Sequence, residues 1–313
     1  NLHVVLGATA TELRLDEARQ RVTAVVCHSL EGRELTVAGD TVILATGAFE
    51  TARLLLASDR QLPGGIGNAH DLVGRFYTDH PKHHTGTLRP GTLAQQFAHE
   101  LQYTPKPRFC VCFALDDETQ RSQKLLEHVL YLQPIYERVI ERLQRSLQGR
   151  PVCRDGNGPV ARYRVKFVTE QAPQLGSRIQ LGTDRDGLGQ RKLEVNWCFT
   201  DHDRRSMAKT LELLTHRFAE VGLGTFEFGD DPPSLDTMTD AAHQMGTTRM
   251  ASRPEEGVVD INCRVFGTNN LYVASSAVFP TGPSYSPTFT ILALARRLGQ
   301  HLLQTAPVES ARI

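Results

Sequence analysis

The sequence predicts an α/β fold that carries an inserted α+β segment. The apolar run Thr41–Ala45 is followed by the Thr46-Gly47 turn and by a helix that starts near Glu50. A buried strand, a glycine turn and a helix in this order make up half of a βαβ unit. Residues 160–168, 177–182 and 192–198 predict strands, with a turn at Asp184–Gly187 between the last two, and we expect the inserted segment to contain an antiparallel sheet.

The residues before this unit predict further strands. Apolar and polar side chains alternate along them, and the Glu31-Gly32-Arg33 turn separates the last two. We therefore expect the start of the chain to contribute sheet rather than helix. The predicted strands are Leu2–Leu6, Ala8–Leu15, Arg21–Ser29 and Glu34–Val37.

The middle of the chain predicts loops and helices. Residues 59–124 are rich in proline and glycine, which favours loops. Residues 123–147 carry apolar side chains at three- and four-residue steps, which favours an amphipathic helical hairpin. Asp201-His202-Asp203 is typical of a helix start, and we expect a helix over about residues 203–222.

The C-terminal part predicts two short strands and one helix. The apolar residues of Val258–Val265 and Leu271–Ala274 indicate the strands. The helix is predicted over Pro287–Leu303, because proline is favoured in a first helical turn and apolar side chains then recur on one face.

The composition argues against several classes of function. The 313 residues include 35 Lys and Arg and 35 Asp and Glu, so the formal net charge is zero and gives no basic surface for nucleic acid or anionic lipid. The apolar runs are too short to span a bilayer. The six cysteines lack a redox or zinc spacing, which favours a reduced, cytoplasmic setting.

The usual phosphate-binding glycine motifs are absent from the sequence. A dinucleotide site normally has G-x-G-x-x-G between a strand and a helix. Gly65 and Gly67 lie in a loop that opens no predicted helix, and we interpret them as a turn. There is no G-x-x-x-x-G-K-[ST] either, so these motifs alone predict no dinucleotide site.

Two blocks of sequence resemble the glucose–methanol–choline oxidoreductases. The first is residues 40–58, DTVILATGAFETARLLLAS, which is similar to that family's strand, ATG turn and helix. The second begins at His243–Met250, HQMGTTRM, and is the most specific part of a resemblance that covers nearly the whole chain. Shorter matches accompany these blocks: Val73-Gly74-Arg75, Asp79-His80-Pro81, Gly257–Asp260, Asn270–Val273, Phe279–Thr281 and Pro287–Arg297.

The resemblance implies a fold in two parts. An incomplete Rossmann-like FAD-binding domain would comprise residues 1–80 and 240–313. An antiparallel-sheet substrate-binding domain backed by helices would comprise residues 81–239. Ser286-Pro287-Thr288 resembles the Asn-Pro-Thr of the pyranose-oxidase-like branch, which is therefore the nearest branch.

The resemblance also implies a partner. Family members bind the flavin pyrophosphate with a G-x-G-x-x-G segment that precedes the matching region, and this segment is absent here. We therefore expect FAD binding to need a missing N-terminal half or a separate subunit.

Alcohol oxidation needs a group that removes the hydroxyl proton, and histidine suits this task because its pKa lies near neutrality. The resemblance places His243 at the position of the family's catalytic histidine. Without the resemblance, the interpretation is a structural loop histidine. Ser286 stands where the family has a His or Asn that binds the substrate hydroxyl, and serine has no basic nitrogen. Arg249 is a candidate orienting residue.

The resemblance implies a set of cofactor-binding residues. Gly47 in particular would allow close backbone approach because it has no Cβ. A metal site is not predicted, because the histidines of 80–84 lack a second cluster of ligands. The implied FAD-binding residues are Ala8, Thr46, Gly47, Ser275, Ser276, Thr288 and Thr290.

The function that follows is FAD-dependent oxidation of a CH–OH group in a sugar, glycoside or other small alcohol. A hydride would pass to flavin N5, and His243 would act as the base. The alternative hypothesis is a non-catalytic fragment or partner subunit that needs the missing half to bind FAD. A nicotinamide dehydrogenase is disfavoured by the absence of a glycine-rich turn that opens a helix.

Overall fold

A computed structural model describes residues 2–96, 112–136, 147–148, 160–228 and 234–305. In chain order, the strands of this described part are β1 (Thr9–Leu15), β2 (Val22–His28), β3 (Glu34–Val37), β4 (Val42–Leu44), β5 (Lys82–Pro90), β6 (Cys112–Phe113), β7 (His128–Tyr136), β8 (Val160–Thr169), β9 (Arg178–Arg185), β10 (Arg191–Asn196), β11 (Gly224–Glu227) and β12 (Leu271–Val273). The helices are α1 (Gly47–Ala57), α2 (Thr92–Gln96), α3 (Asp117–Gln123), α4 (Asp201–Glu220) and α5 (Thr288–Thr305).

The chain divides into two compact units. The first unit comprises Asn1–Asp79, Ala172–Phe199 and Ala242–Ile313, and the second comprises His80–Gln171 and Thr200–Ala241. Both units mix helix and sheet, so the predicted α/β class with an antiparallel insert is confirmed. None of the helices in the described ranges has the length and apolarity that crossing a membrane requires.

The first unit contains three small sheets. Strands β1, β2 and β3 form an antiparallel sheet in chain order, β9 and β10 form a hairpin, and β4 pairs with β12 in parallel. The apolar face of α1 packs into the core beside β4 and β12, because Ala52 and Leu55 are fully buried there with Leu271 and Val273. The parallel pair and α1 are the elements that position the site described below.

The second unit is built on a five-stranded antiparallel sheet in the order β11-β5-β8-β7-β6. Tyr163 and Phe167 of β8 are fully buried in it. Helix α4 begins with a capping box, in which Thr200 and Asp203 each accept the backbone N–H of the other. Its apolar side packs towards β11, with the rings of Phe218 and Phe226 stacked at 5.0 Å.

The predicted helical hairpin over 123–147 is wrong where the structure describes it. Residues 128–136 form β7, which lies between β6 and β8 in the sheet. Consecutive residues of this strand, such as Val129 and Leu130, are fully buried, so the strand shows no two-residue alternation. A short, fully buried apolar run cannot be assigned to helix or strand from its period alone. Residues 137–146 lie outside the described residues.

Four other expectations need correction. The predicted loop region contains β5, α2, β6 and α3. Residues 2–6 form no strand, and the leucines and valines among them are exposed. Val258–Val265 makes only isolated bridges. Ile43 of β4, expected to be covered, is 46% exposed, because the described residues provide no element over it.

The largest difference between the compact units and the predicted domains is one segment, and the other boundaries agree within two residues. Residues 172–199 were assigned to the substrate-binding domain, and in the structure they belong to the first unit. The reason is local hydrogen bonding: Tyr77 N–H donates to Ser177 O, and Ile179 N–H donates to Gly74 O at 2.8 Å. The roles of the two parts in binding cofactor and substrate stay predictions.

Candidate active site

The site is built on the edge where two parallel strands end. In the register, Val273 of β12 stands beside Leu44 of β4, and Ala274 N–H donates to Leu44 O at 2.9 Å. The segments 45–47 and 274–276 therefore leave the sheet side by side at its carboxyl edge. Ligands of α/β proteins bind outside this edge, in the crevice between such segments.

Helix α1 begins at this edge with its first turn uncapped. Gly47 has a φ of +74°, a left-handed conformation that favours glycine, and a Cβ placed there would meet nothing within 4 Å. The N-cap residue Thr46 makes no side-chain capping bond, and its hydroxyl lies 2.9 Å from that of Thr51 instead. The open backbone N–H groups of a helix start carry partial positive charge, which suits an anionic group.

The two serines after β12 have different tasks. Ser275 Oγ accepts the backbone N–H of Ala277 at 3.2 Å and so caps the short helical turn that follows. Ser276 Oγ donates to Gln244 O at 2.6 Å, and Ser276 O accepts Gly246 N–H at 3.2 Å. Both serines are buried, and Ser276 fixes the segment that carries the predicted base beside the carboxyl edge.

The segment that follows His243 is held from two further sides. Met245 pairs with Thr78 through backbone hydrogen bonds in both directions, at 2.9 and 3.1 Å. Thr247 Oγ1 donates to Ala48 O at 2.8 Å in the first turn of α1. Gly246 has a φ of +84°, and a Cβ there would collide with the carbonyl oxygen of Phe76. The start of α1 and the His243 segment are therefore fixed to each other.

His243 is half-buried, and its backbone is anchored by a residue that sequence reasoning missed. Its N–H donates to Asp79 Oδ1 at 3.2 Å, and Asp79 is fully buried. The preceding residue, Ala242, has a φ of +57°. Asp79 belongs to the Asp-His-Pro match, which was the available signal, but nothing in the sequence links it to position 243.

The described contacts do not connect four of the predicted site residues to this edge: Ala8, Ser286, Thr288 and Thr290. The hydroxyls of Ser286 and Thr288 lie 3.3 Å apart, and both residues are exposed, as is Thr290. The preceding loop does approach the base segment, because a Cβ at Gly282 would lie 2.8 Å from Met245 Cε. Ala8 is half-buried just before β1.

Two further expectations concern Arg249 and a metal site. Arg249 places its guanidinium 4.6 Å from the centre of the Phe76 ring. Within the described ranges, no group of three or more His, Cys, Asp or Glu side chains is arranged to hold a metal ion.

Family models for GMC oxidoreductases match most of the chain. The N-terminal model matches residues 1–82 and the C-terminal model matches residues 173–295. The chain belongs to the GMC oxidoreductase family. The chain spans about half the length of the curated relatives that it matches over most of its own length.

Named relatives include oxidoreductases of sugars. The chain is 24% identical over 298 residues to the fructose dehydrogenase large subunit of Gluconobacter japonicus, covering 92% of this chain and 51% of the relative. It is 26% identical over 302 residues to paromamine 6'-oxidase of Streptomyces fradiae, and the match covers 91% of this chain and 50% of the relative.

Solved structures of GMC type share the fold. Pyridoxine 4-oxidase from Mesorbium loti matches 96% of this chain and 58% of its own with a TM-score of 0.64 at 18% identity. The structure of a formate oxidase matches 95% of this chain and 60% of its own chain, with a TM-score of 0.58 at 20% identity. At these identities the likeness shows the fold alone.

FAD is the cofactor of this family. The described residues fit part of an FAD site. The α1 start offers free backbone donors beside Gly47, whose missing Cβ leaves open space. The segment after β12, with the buried Ser275 and Ser276, leaves the sheet at the same edge. Neither feature supplies a glycine-rich cradle for a pyrophosphate.

Proposed function

We propose that this chain provides the catalytic base and part of the flavin site of an FAD-dependent oxidoreductase acting on a CH–OH group. The observation that carries the proposal is the position of the His243 segment. Ser276 joins that segment to the carboxyl edge of the parallel strands, and Thr247 joins it to the first turn of α1. A histidine held beside such an edge can meet a substrate bound against a flat cofactor.

The side chains then have distinct tasks. An imidazole nitrogen of His243 takes the hydroxyl proton of the alcohol, and Asp79 fixes the backbone from which that imidazole projects. The FAD that Gly47 and Ser275 would help to hold would supply the acceptor for the hydride from the same carbon, so that the alcohol would become a carbonyl compound. Ser286 is proposed to hydrogen-bond the substrate hydroxyl.

The proposed cofactor contacts fall into two groups, one supported by the structure and one by the family resemblance. Thr46, Gly47, Ser275 and Ser276 are supported by their places at the sheet edge. The other proposed contacts rest on the family resemblance: Ala8, Thr288 and Thr290.

The substrate class that we propose is a sugar, glycoside or other polyol. Two relatives that match over nine-tenths of this chain are named for fructose and for paromamine. Ser286 would favour the pyranose-oxidase-like branch, in which the corresponding position carries a hydrogen-bonding side chain without a positive charge. A serine hydroxyl donates and accepts a hydrogen bond, which suits a polyhydroxylated substrate.

A second candidate function is favoured by the surface of the first unit. Strand β4 has a parallel partner on one side only among the described residues, and its Ile43 is 46% exposed. Phe289 and Leu292 of α5 are exposed as well. Parallel sheets are normally covered on both faces. The chain would then complete a site together with another polypeptide segment and hold no FAD by itself.

Titration of FAD into the purified chain tests whether this chain holds the cofactor and catalyses by itself, or does so only with another polypeptide segment. Bound, yellow flavin that a sugar bleaches under anaerobic conditions supports catalysis by this chain alone. If the chain binds no FAD alone but does so with the complementary half of a relative, the second candidate holds. If bound flavin is reduced by no sugar, glycoside or other alcohol in either preparation, the proposed reaction is wrong.

A further inference from the structure

An open cavity lies in the first unit, between the loop 70–76 and the segment 249–256. Its volume is about 850 Å³. His243 is not among the residues that line it. Its apolar wall includes Leu72, Phe76 and Met250. This volume is large enough for a small organic molecule.

The cavity contains a guanidinium, that of Arg249, with no hydrogen-bond or ion-pair partner among the described residues. Arg249 is half-buried and lies over the Phe76 ring, 4.6 Å from its centre. No hydrogen bond or ion pair reaches its N–H groups from any residue in the described part of the chain. A guanidinium has five N–H donors in a planar fork that matches a carboxylate, and stacking on an aromatic ring leaves those in-plane donors available.

The other cation on the inner side of the cavity is already neutralised. Arg75 is bonded to Asp71 through its guanidinium and donates to Leu175 O at 3.0 Å. Burial raises the pKa of Asp71, but the hydrogen bonds and charges of Arg75 and Arg178 lower it on balance, so this carboxylate is ionised at neutral pH. Arg249 is therefore the cation that remains for a ligand.

Two carboxylates at the rim limit the charge of that ligand. Glu256 is paired with Arg253, and the charge of Arg249 also lowers its pKa, whereas Glu255 has no ion-pair partner among the residues that the structure describes. A ligand with several negative charges would be repelled by Glu255. A single carboxylate on Arg249 meets less of this repulsion than a multiply charged ligand, and its uncharged part can pack along the apolar wall.

The cavity wall is also conformationally strained. Phe76 has a φ of +55° and Asp71 a φ of +54°, although neither residue is glycine. Such conformations cluster at ligand-binding and functional sites, where the surrounding structure enforces them. Phe76, one of these two residues, is also the residue whose ring contacts Arg249.

We propose that this cavity is a binding site for a small monocarboxylate with an aromatic or other flat apolar body. The carboxylate accepts hydrogen bonds from Arg249, and the apolar body packs along Leu72, Phe76 and Met250. The site is separate from alcohol oxidation, and its test does not depend on FAD or on turnover.

The test is calorimetric titration of the 1–313 chain with phenylacetate, with its neutral analogue phenylacetamide and with inorganic phosphate. We expect saturable phenylacetate binding with a Kd of about 1 mM or tighter. Arg249→Gln should weaken it at least about tenfold, because a charge-assisted pair is lost. Arg249→Lys should fall in between, because it keeps the charge but loses the planar fork. Arg60→Gln is the control, because Arg60 is exposed and lies outside this cavity.

Each result decides the proposal. Thermal unfolding first establishes that every variant is folded, and Arg249→Lys replaces Arg249→Gln if the latter is not. Absence of saturable binding overturns the proposal, and so does equal binding by the native chain and the Arg249 variants. Equal affinity for phenylacetamide removes the role of the carboxylate, and equal affinity for phosphate removes that of the apolar wall.

Discussion

Thr247 donates its hydroxyl hydrogen to the carbonyl oxygen of Ala48 at 2.8 Å, across 199 positions of sequence and in a fully buried setting. This bond fixes the segment that carries His243 to the first turn of α1. The neighbouring Thr248 is equally buried, but its hydroxyl has no hydrogen-bond partner among the described residues. The two threonines therefore form a matched pair for mutation.

Thr247→Val should lower the free energy of unfolding by about 1–3 kcal/mol, because it removes one buried hydrogen bond and leaves a carbonyl unsatisfied. Thr248→Val should have no effect or a small stabilising one, because it removes a hydroxyl that is already unpaired. Urea denaturation measures both values. Equal losses in the two variants would contradict the role given to the Thr247 bond.

Gly246→Ala should destabilise the first unit more than Gly189→Ala does. Both glycines are left-handed, with φ of +84° and +72°, but only the added Cβ at Gly246 collides with backbone. The strain of a left-handed alanine alone costs about 1–2 kcal/mol, and the collision with Phe76 O adds to it. Thermal unfolding of the two variants provides the comparison, and equal shifts in melting temperature would show that Gly246 is not closely packed.

The second unit should lose stability in acid because of His128. Burial, and to a smaller extent the charge of His202, lowers the pKa of His128 from 6.5 to about 3. Its Nε2 lies 2.8 Å from Ser206 Oγ, and the residue is 2% exposed. In the unfolded chain, His128 is therefore protonated below about pH 6.5, whereas in the folded chain it stays neutral until about pH 3. Stability is fully present above pH 6.5 and falls as the pH drops.

Between pH 7 and pH 4.5, His128 should lower the free energy of unfolding by about 2–3 kcal/mol. Urea denaturation of the native chain, His128→Gln and His216→Gln at pH 7 and pH 4.5 measures it. His128→Gln should lose the larger part of this acid dependence, whereas the exposed His216 serves as the control. The assignment fails if all three proteins lose the same stability in acid.

The exposed stripe of α5 should drive self-association of the purified chain. Phe289 is 83% and Leu292 is 64% exposed on this helix. The double variant Phe289→Gln and Leu292→Gln should sediment with a smaller associated fraction than the native chain, because apolar area removed from water stabilises association. Val221→Gln, at an exposed apolar position in the second unit, should not change that fraction. A native chain that is already monodisperse would contradict the prediction.

The sequence predicted the elements whose signals are local. The apolar run before Gly47, the glycine itself and the apolar spacing after it were enough to predict β4, its turn and α1. Strand β7 was mistaken for helix, because its consecutive buried residues 128–130 remove the alternation that identifies a strand.

The candidate site could be predicted only in part, because it depends on contacts between residues that are far apart in the sequence. The resemblance directed attention to His243, Gly47, Ser275 and Ser276, and the structure places their segments at one sheet edge. The contact of Asp79 with His243 N–H spans 164 positions. No period or spacing in the sequence encodes such a long-range backbone contact.

The most direct test of the account is the rate of anaerobic flavin reduction by a sugar substrate in the complete, FAD-loaded enzyme. The account predicts that His243→Ala slows this step roughly 10²–10⁴-fold, with FAD content unchanged and with His216→Ala as an unaffected control. A His243→Ala enzyme that reduces its flavin at the native rate would show that this imidazole does not take the substrate proton.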